Sequence, residues 1–261
     1  MKWPNCYKAN CLTKYRMNVS KIKRKYTWNQ IKQSSKVKDG ILALYIYRKF
    51  AFVLTYILAN FVDVSANHVT TLAMLTWLSA AVMIWFNYHI LAAILIFLGF
   101  VLDCTDGNIA RLKKQVSDKG RLYDTIVDRI SFSSILLVLA IKISIMYSTY
   151  YIIVLSSLLL VLMIFFDIVR RHIEKLKGSD IHDTALISSF ESKIKARLKK
   201  IMPFINWNNV IIGIGADLEW TLLIVASVFS TIFIFLIMFL IILIVSGIFA
   251  MIAARKREVL L

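Results

Sequence analysis

The chain has 261 residues, of which 59% are hydrophobic, 13% aromatic and 18% charged, a mixture far from that of an average soluble domain. Runs without Lys, Arg, Asp or Glu cover residues 69–102, 130–141, 143–166 and 220–254, and several exceed the ~20 residues that cross a bilayer, which excludes an ordinary soluble core. The formal charge of +17 suggests nucleic acid until its distribution is read: Lys and Arg crowd the segments between apolar runs, so a lipid bilayer and no nucleic acid is the expected partner.

In chain order, residues 1–40 form a basic extension with no short apolar centre of the kind a cleaved signal carries, and it is expected to be cytoplasmic. Residues 41–61 are apolar enough to cross, but Arg48 and Lys49 sit in the middle, where each costs ~2.5–3.5 kcal/mol on insertion scales. An interfacial amphipathic helix is expected there, with a further span as the alternative. Spans follow at about 67–86, 90–112 and 119–146, with Asn87, Tyr88 and His89 turning the chain between the first two. A fourth at 150–169 ends at Arg170 and Arg171. Residues 173–206 suit a basic surface helix that stops at Pro203. The last apolar region is too long for one helix and divides near Ser230 into spans at about 208–229 and 231–254, before a basic tail at 255–261. The expected fold is therefore all-α: a polytopic membrane domain over 41–254, with six transmembrane helices preceded by the interfacial helix. Six spans put the N-terminus, residues 112–120, residues 173–206 and the tail on one side with nearly all the basic charge, so both termini are expected to be cytoplasmic. Lys142, on the other side, is expected to snorkel. Trp85 and Trp207 read as an interfacial aromatic belt. Asp217 and Glu219 fit the division least well.

The chemistry is concentrated where the second span leaves and the third enters. Asp103, Asp106, Gly107 and Ala110 share one helical face, and Gly120, Asp124 and Asp128 share another on the next helix. Two adjacent antiparallel helices would aim four carboxylates into one space. Like charges at about 4 Å repel by roughly 4 kcal/mol per pair at an effective dielectric near 20, so such a cluster calls for counter-charge. All-carboxylate sites favour Mg²⁺, Mn²⁺ or Ca²⁺, and paired ions suit phosphoryl chemistry. Cys6, Cys11 and Cys104 have no histidine at zinc spacing. The small Gly107, Ala110 and Gly120 leave room for a nucleotide or allow close helix packing.

The string Asp103-x-x-Asp106-Gly107-x-x-Ala110-Arg111, eight residues, then Gly120-x-x-x-Asp124-x-x-x-Asp128 resembles the signature of the CDP-alcohol phosphotransferase family at all eight of its fixed positions. The resemblance covers about residues 41–254. It implies transfer of a phospho-alcohol group from a CDP-alcohol donor to the hydroxyl of an alcohol acceptor with release of CMP, two divalent cations (Mg²⁺ or Mn²⁺), a homodimer, and an active site open to the cytoplasmic leaflet. Carried over by position, Asp103, Asp106 and Asp124 resemble metal ligands, and Asp128 resembles both a ligand and the general base. Gly107, Ala110, Arg111, Ser117 and Gly120 resemble the donor-binding positions. The family's Pro-Asn-x-x-Thr segment corresponds to Ala66-Asn67-His68-Val69-Thr70: Asn67 and Thr70 match as donor contacts, Ala66 departs from the proline, and Asn67 reads equally as a helix N-cap. Arg170 and Arg171 lie on the active-site side and could hold an acidic acceptor.

Two other classes compete. A divalent-cation transporter would need acids across the depth of the bilayer, and these sit at one edge. A basic membrane anchor accounts for the lysines and not for the signature.

Overall fold

A computed structural model describes residues 25–37, 39–62, 64–148, 150–158, 160–162, 164, 192, 195–196, 198–200, 202–203, 205–207, 209–210 and 216–229. Most of the basic extension, the end of the fourth expected span with Arg170 and Arg171, most of 173–206, the whole of 231–254 and the tail lie outside the described residues. Among the described residues the fold is helical with no strand, apart from an isolated parallel bridge between Asp39 and Val210. Its elements are α1 (Trp28–Gln33), α2 (Arg48–Ile57, flanked by π-helical turns Ala43–Tyr47 and Leu58–Val62), α3 (Ala66–Trp85), α4 (His89–Leu112), α5 (Asp118–Tyr147) and α6 (Ala216–Phe229).

Three of these, α3, α4 and α5, are long and apolar enough to cross a membrane. They occupy the positions of the first three expected spans. Their outward faces carry Leu75, Ile94 and Ile130, exposed, while Trp77, Ile96 and Ile135 are fully buried. Helices apolar all round suit a lipid surround.

The helix ends explain the turns. Asn87 is left-handed at φ 68°, and Tyr88 N–H donates to the Met83 carbonyl at 2.9 Å, closing α3. Lys114 is left-handed at φ 56°, and Gln115 N–H reaches the Ala110 carbonyl at 2.7 Å, closing α4 in the same way without a glycine. The Lys142 ammonium donates to the carbonyl of Ile84, in the last turn of α3, at 2.5 Å, a helix-end acceptor that Asn87 N–H also reaches at 3.1 Å.

Packing corrects one expectation. The helices of the second and third expected spans are not close neighbours: α3 packs along both α4 and α5, while α4 and α5 make little direct backbone contact. The acids therefore face a gap walled on one side by α3. On the opposite face of α4, Thr105 and Asn108 are buried against α2, where Asn108 Nδ2 donates to Thr55 Oγ1 at 3.4 Å and Thr105 Oγ1 to the Ala51 carbonyl at 3.5 Å. Arg48, whose charge argued against this segment crossing a bilayer, is only 5% exposed in the fold. Its guanidinium pairs with Asp39 at 2.5 Å, donates to Ser35 Oγ at 3.0 Å and also binds the Lys36 carbonyl. A paired and hydrogen-bonded charge can be buried where a bare one cannot.

Trp207 is a second correction. It is 4% exposed, packed with Ile205 and Val210 against Leu44 and Tyr45, and its indole N–H donates to the Met202 carbonyl at 3.1 Å. It is a small core of its own and not an interfacial anchor, whereas Trp85 is half exposed.

Candidate active site

The first wall of the site is the N-terminal turn of α3. Ser65 caps this helix, its hydroxyl accepting from His68 N–H at 3.4 Å, so Asn67 is not the N-cap and its side chain is free for other use. Asn67 is exposed and faces the start of α5: a methyl group on Gly120 would stand 3.8 Å from Asn67 Oδ1 and 3.1 Å from Ser117 Oγ. One turn on, Thr70 is buried, and its hydroxyl donates to Asp106 Oδ2 at 2.5 Å. Thr70 thus orients a carboxylate of the cluster. Beside it, the hydroxyls of Thr71 and Tyr123 meet at 2.9 Å and tie α3 to α5 next to Asp124.

The second wall is α4 and the third is the start of α5. One carboxylate oxygen from each of Asp103, Asp106 and Asp124 lies within 4.8 Å of the other two. The steps of three and four along the helices bring this about, as the spacing requires. Asp128 lies one turn beyond Asp124 and is not part of that triad, although it interacts electrostatically with Asp106 and Asp124. Asp124 Oδ1 and Asp128 Oδ1 are both buried with no hydrogen-bond partner among the described residues. A buried acceptor left unpaired costs ~1–3 kcal/mol, and more when charged. Convergent carboxylates with orphaned oxygens are a donor set of the kind a hard divalent cation takes, so the residues fit the ions that the signature implies.

The remaining expected residues divide. Gly107 lies under the Arg111 guanidinium, whose Nη2 would be 3.3 Å from an added methyl group. Arg111 also donates to Asn108 Oδ1 at 3.1 Å and to the Ser34 carbonyl, so it bridges α4 to the end of α1. Ser117 caps α5 by accepting from Gly120 N–H at 3.1 Å. The Ala110 carbonyl closes the end of α4, and its side chain adds no bulk there. Asp118, the fifth acid of this stretch, is exposed and pairs with Arg121, away from the triad. Arg170 and Arg171 lie outside the described residues.

Sequence reasoning missed two features. Arg129, next to Asp128, pairs with Glu219 of α6 at 3.4 Å, both side chains largely buried. An acid stranded in an apolar run was the available signal, since such a charge calls for a partner. The second is Lys36, whose charge acts on both Asp103 and Asp124 from a segment outside the signature. Nothing local marks it among so many lysines.

Residues 63–255 match the family model for CDP-alcohol phosphatidyltransferase, well over half of the chain. No curated protein matches the chain.

Proposed function

Because the chain belongs to the CDP-alcohol phosphatidyltransferase family, we propose that it transfers a phospho-alcohol group from a CDP-linked donor to an acceptor hydroxyl and releases CMP at the carboxylate cluster between α3, α4 and α5. The observation that carries this reading is the convergence of Asp103, Asp106 and Asp124 within 4.8 Å of one another, with orphaned oxygens on Asp124 and Asp128. Two divalent cations held by Asp103, Asp106, Asp124 and Asp128 would supply charge neutralisation and polarise the phosphoryl oxygens. The chain's own residues do the rest. Arg111 forks onto phosphate oxygens of the donor, and Gly107, lacking a side chain, lets its guanidinium lie flat on the helix. Asn67, Ser117 and Gly120 border the donor where the N-terminal turns of α3 and α5 face one another. Asp128 takes the proton from the acceptor hydroxyl as that oxygen attacks the phosphorus farther from cytidine. The bond from that phosphorus to the bridging oxygen breaks, and CMP leaves with the electron pair.

The same reading places six spans over 41–254, with both termini and the site cytoplasmic and a homodimer as the working unit. The side-by-side crowding of basic segments supports the orientation. Asp103 and Asp106 near the end of α4, with Asp124 near the start of α5, keep the cluster at one end of the helices, which suits an enzyme site and not an ion path.

The direct test offers the purified protein labelled CDP-diacylglycerol, CDP-choline, CDP-ethanolamine and CDP-inositol with a panel of alcohols, and measures CMP. Release is expected with at least one pair, abolished by chelation and restored by Mg²⁺ or Mn²⁺. Full activity after exhaustive chelation would rule out the metal-dependent mechanism. A second expectation concerns Thr70. Thr70→Val keeps the shape but removes the hydrogen bond to Asp106, and outer contacts of this kind typically change metal affinity by ~10–100-fold. Mn²⁺ titration should show a loss of that order, and an unchanged affinity would make the contact incidental.

A further inference from the structure

Lys36 lies outside the matched residues, in the short segment that follows α1. Two arginines hold that segment over the site end of the helices. Arg111 of α4 donates to the Ser34 carbonyl, and Arg48 of α2 donates to Ser35 Oγ at 3.0 Å and to the Lys36 carbonyl while pairing with Asp39 at 2.5 Å. Arg111 stands one turn from Gly107 and just over one from Asp106, so Ser34 is tied to the part of α4 that carries the acids, while Ser35 and Lys36 are tied to α2. The Lys36 carbonyl is used in this clamp, yet its side chain is exposed. The backbone is held and the side chain is exposed, with its charge in electrostatic reach of Asp103 on one helix and Asp124 on another.

Building on the proposed reaction, we propose that Lys36 is a substrate-contacting residue whose ammonium binds the diphosphate of the CDP-linked donor. Its charge faces the carboxylates only while they lack other counter-charge. Two divalent cations would neutralise four carboxylates, and the strongest remaining negative centre at the mouth of the site would then be the donor's diphosphate. A lysine suits this shift better than an arginine, since its point charge rides on a flexible stem with three rotatable donors. Arg111, committed to Asn108 and Ser34, would supply the fixed contact and Lys36 the movable one.

The test uses the full-length protein with Mn²⁺ and measures the dissociation constants of CDP and CMP, together with Mn²⁺ affinity read by electron paramagnetic resonance without nucleotide. Lys36→Ala should weaken CDP by roughly tenfold and CMP by less, because a charge-assisted contact to the second phosphate is lost. Mn²⁺ affinity should be unchanged or tighter, since a competing cation has been removed. Lys36→Arg should restore most of the CDP affinity, and Lys49→Ala, an exposed lysine elsewhere, should change nothing. Unchanged CDP binding in Lys36→Ala would overturn the assignment, as would an equal loss of Mn²⁺ and CDP binding, which would make Lys36 a support for the site. A wild-type protein that binds Mn²⁺ but not CDP would instead overturn the proposed reaction itself, and is recognised before any variant is made.

Discussion

Asp128→Asn is expected to cut CMP release by ~10²–10⁴-fold while donor binding largely survives, because the amide keeps the shape of the side chain but cannot take a proton. The geometry separates this residue from its neighbours. Asp103, Asp106 and Asp124 present mutually close oxygens, and Asp128 stands one turn deeper, outside that triad. Replacing any of the three with Asn should therefore weaken Mn²⁺ affinity and, with it, donor affinity. Asp128→Asn should move turnover first. Measured together, kcat, the donor KM and Mn²⁺ affinity distinguish the two classes. If Asp128→Asn lost donor and Mn²⁺ affinity as severely as Asp103→Asn, with no separate defect in turnover, Asp128 would be an ordinary ligand and the base would lie elsewhere. Arg129 and Glu219, paired at 3.4 Å beside it, are not ligands in this scheme, so neutral replacement of both should spare Mn²⁺ affinity.

What could be read from the sequence and what could not follows from the range of the interactions. The acid positions were legible because steps of three and four place residues on one helix face wherever the helix goes. The three membrane-length helices were legible from uninterrupted apolar runs and from Asn87 at the turn between two of them. The separation of α4 from α5 was not, since nothing in either helix says that α3 lies along both. How Arg48 is paired was not legible, because its partners, Asp39 and the carbonyl of Lys36, are set by the non-helical chain before it and not by a helical repeat. For Thr70 the motif position records only that a hydroxyl is needed, and the fold adds its partner, Asp106, which is 36 residues away. Trp207 misled because an indole beside an apolar run looks the same in sequence whether it meets an interface or folds back onto Leu44 and Tyr45.

Gly99→Ala is expected to be among the most damaging single-methyl additions in the described core, with loss of CMP release and a large fall in thermal stability in detergent. An added methyl group would lie 2.5 Å from Trp77 Cδ1, 2.7 Å from Cε2 and closest of all to Nε1, well inside contact distance. The indole has nowhere to go. It is fully buried, stacked on Trp220 at 4.1 Å and 6°, and its N–H donates to the Ile96 carbonyl at 3.2 Å. Overpacking usually costs ~1–3 kcal/mol, and a clash with an immobile ring belongs at or above the top of that range. The consequence reaches the site because α3 and α4 run antiparallel. Trp77 is seven residues after Thr70 and Gly99 seven before Asp106, so the Trp77–Gly99 contact lies two turns, ~10 Å, from the Thr70–Asp106 hydrogen bond and sets how closely the two helices approach there. Even a variant that stays folded should therefore bind Mn²⁺ more weakly. Gly107→Ala is the comparison: its methyl group would meet the movable end of Arg111 at 3.3 Å, so its effect should fall on donor affinity with little change in stability. Trp77→Phe removes the indole nitrogen, the atom nearest the added methyl, and shortens the ring, and should rescue part of the Gly99→Ala defect. A Gly99→Ala protein with wild-type stability, activity and Mn²⁺ affinity would mean that the close approach of α3 and α4 does not hold the site together.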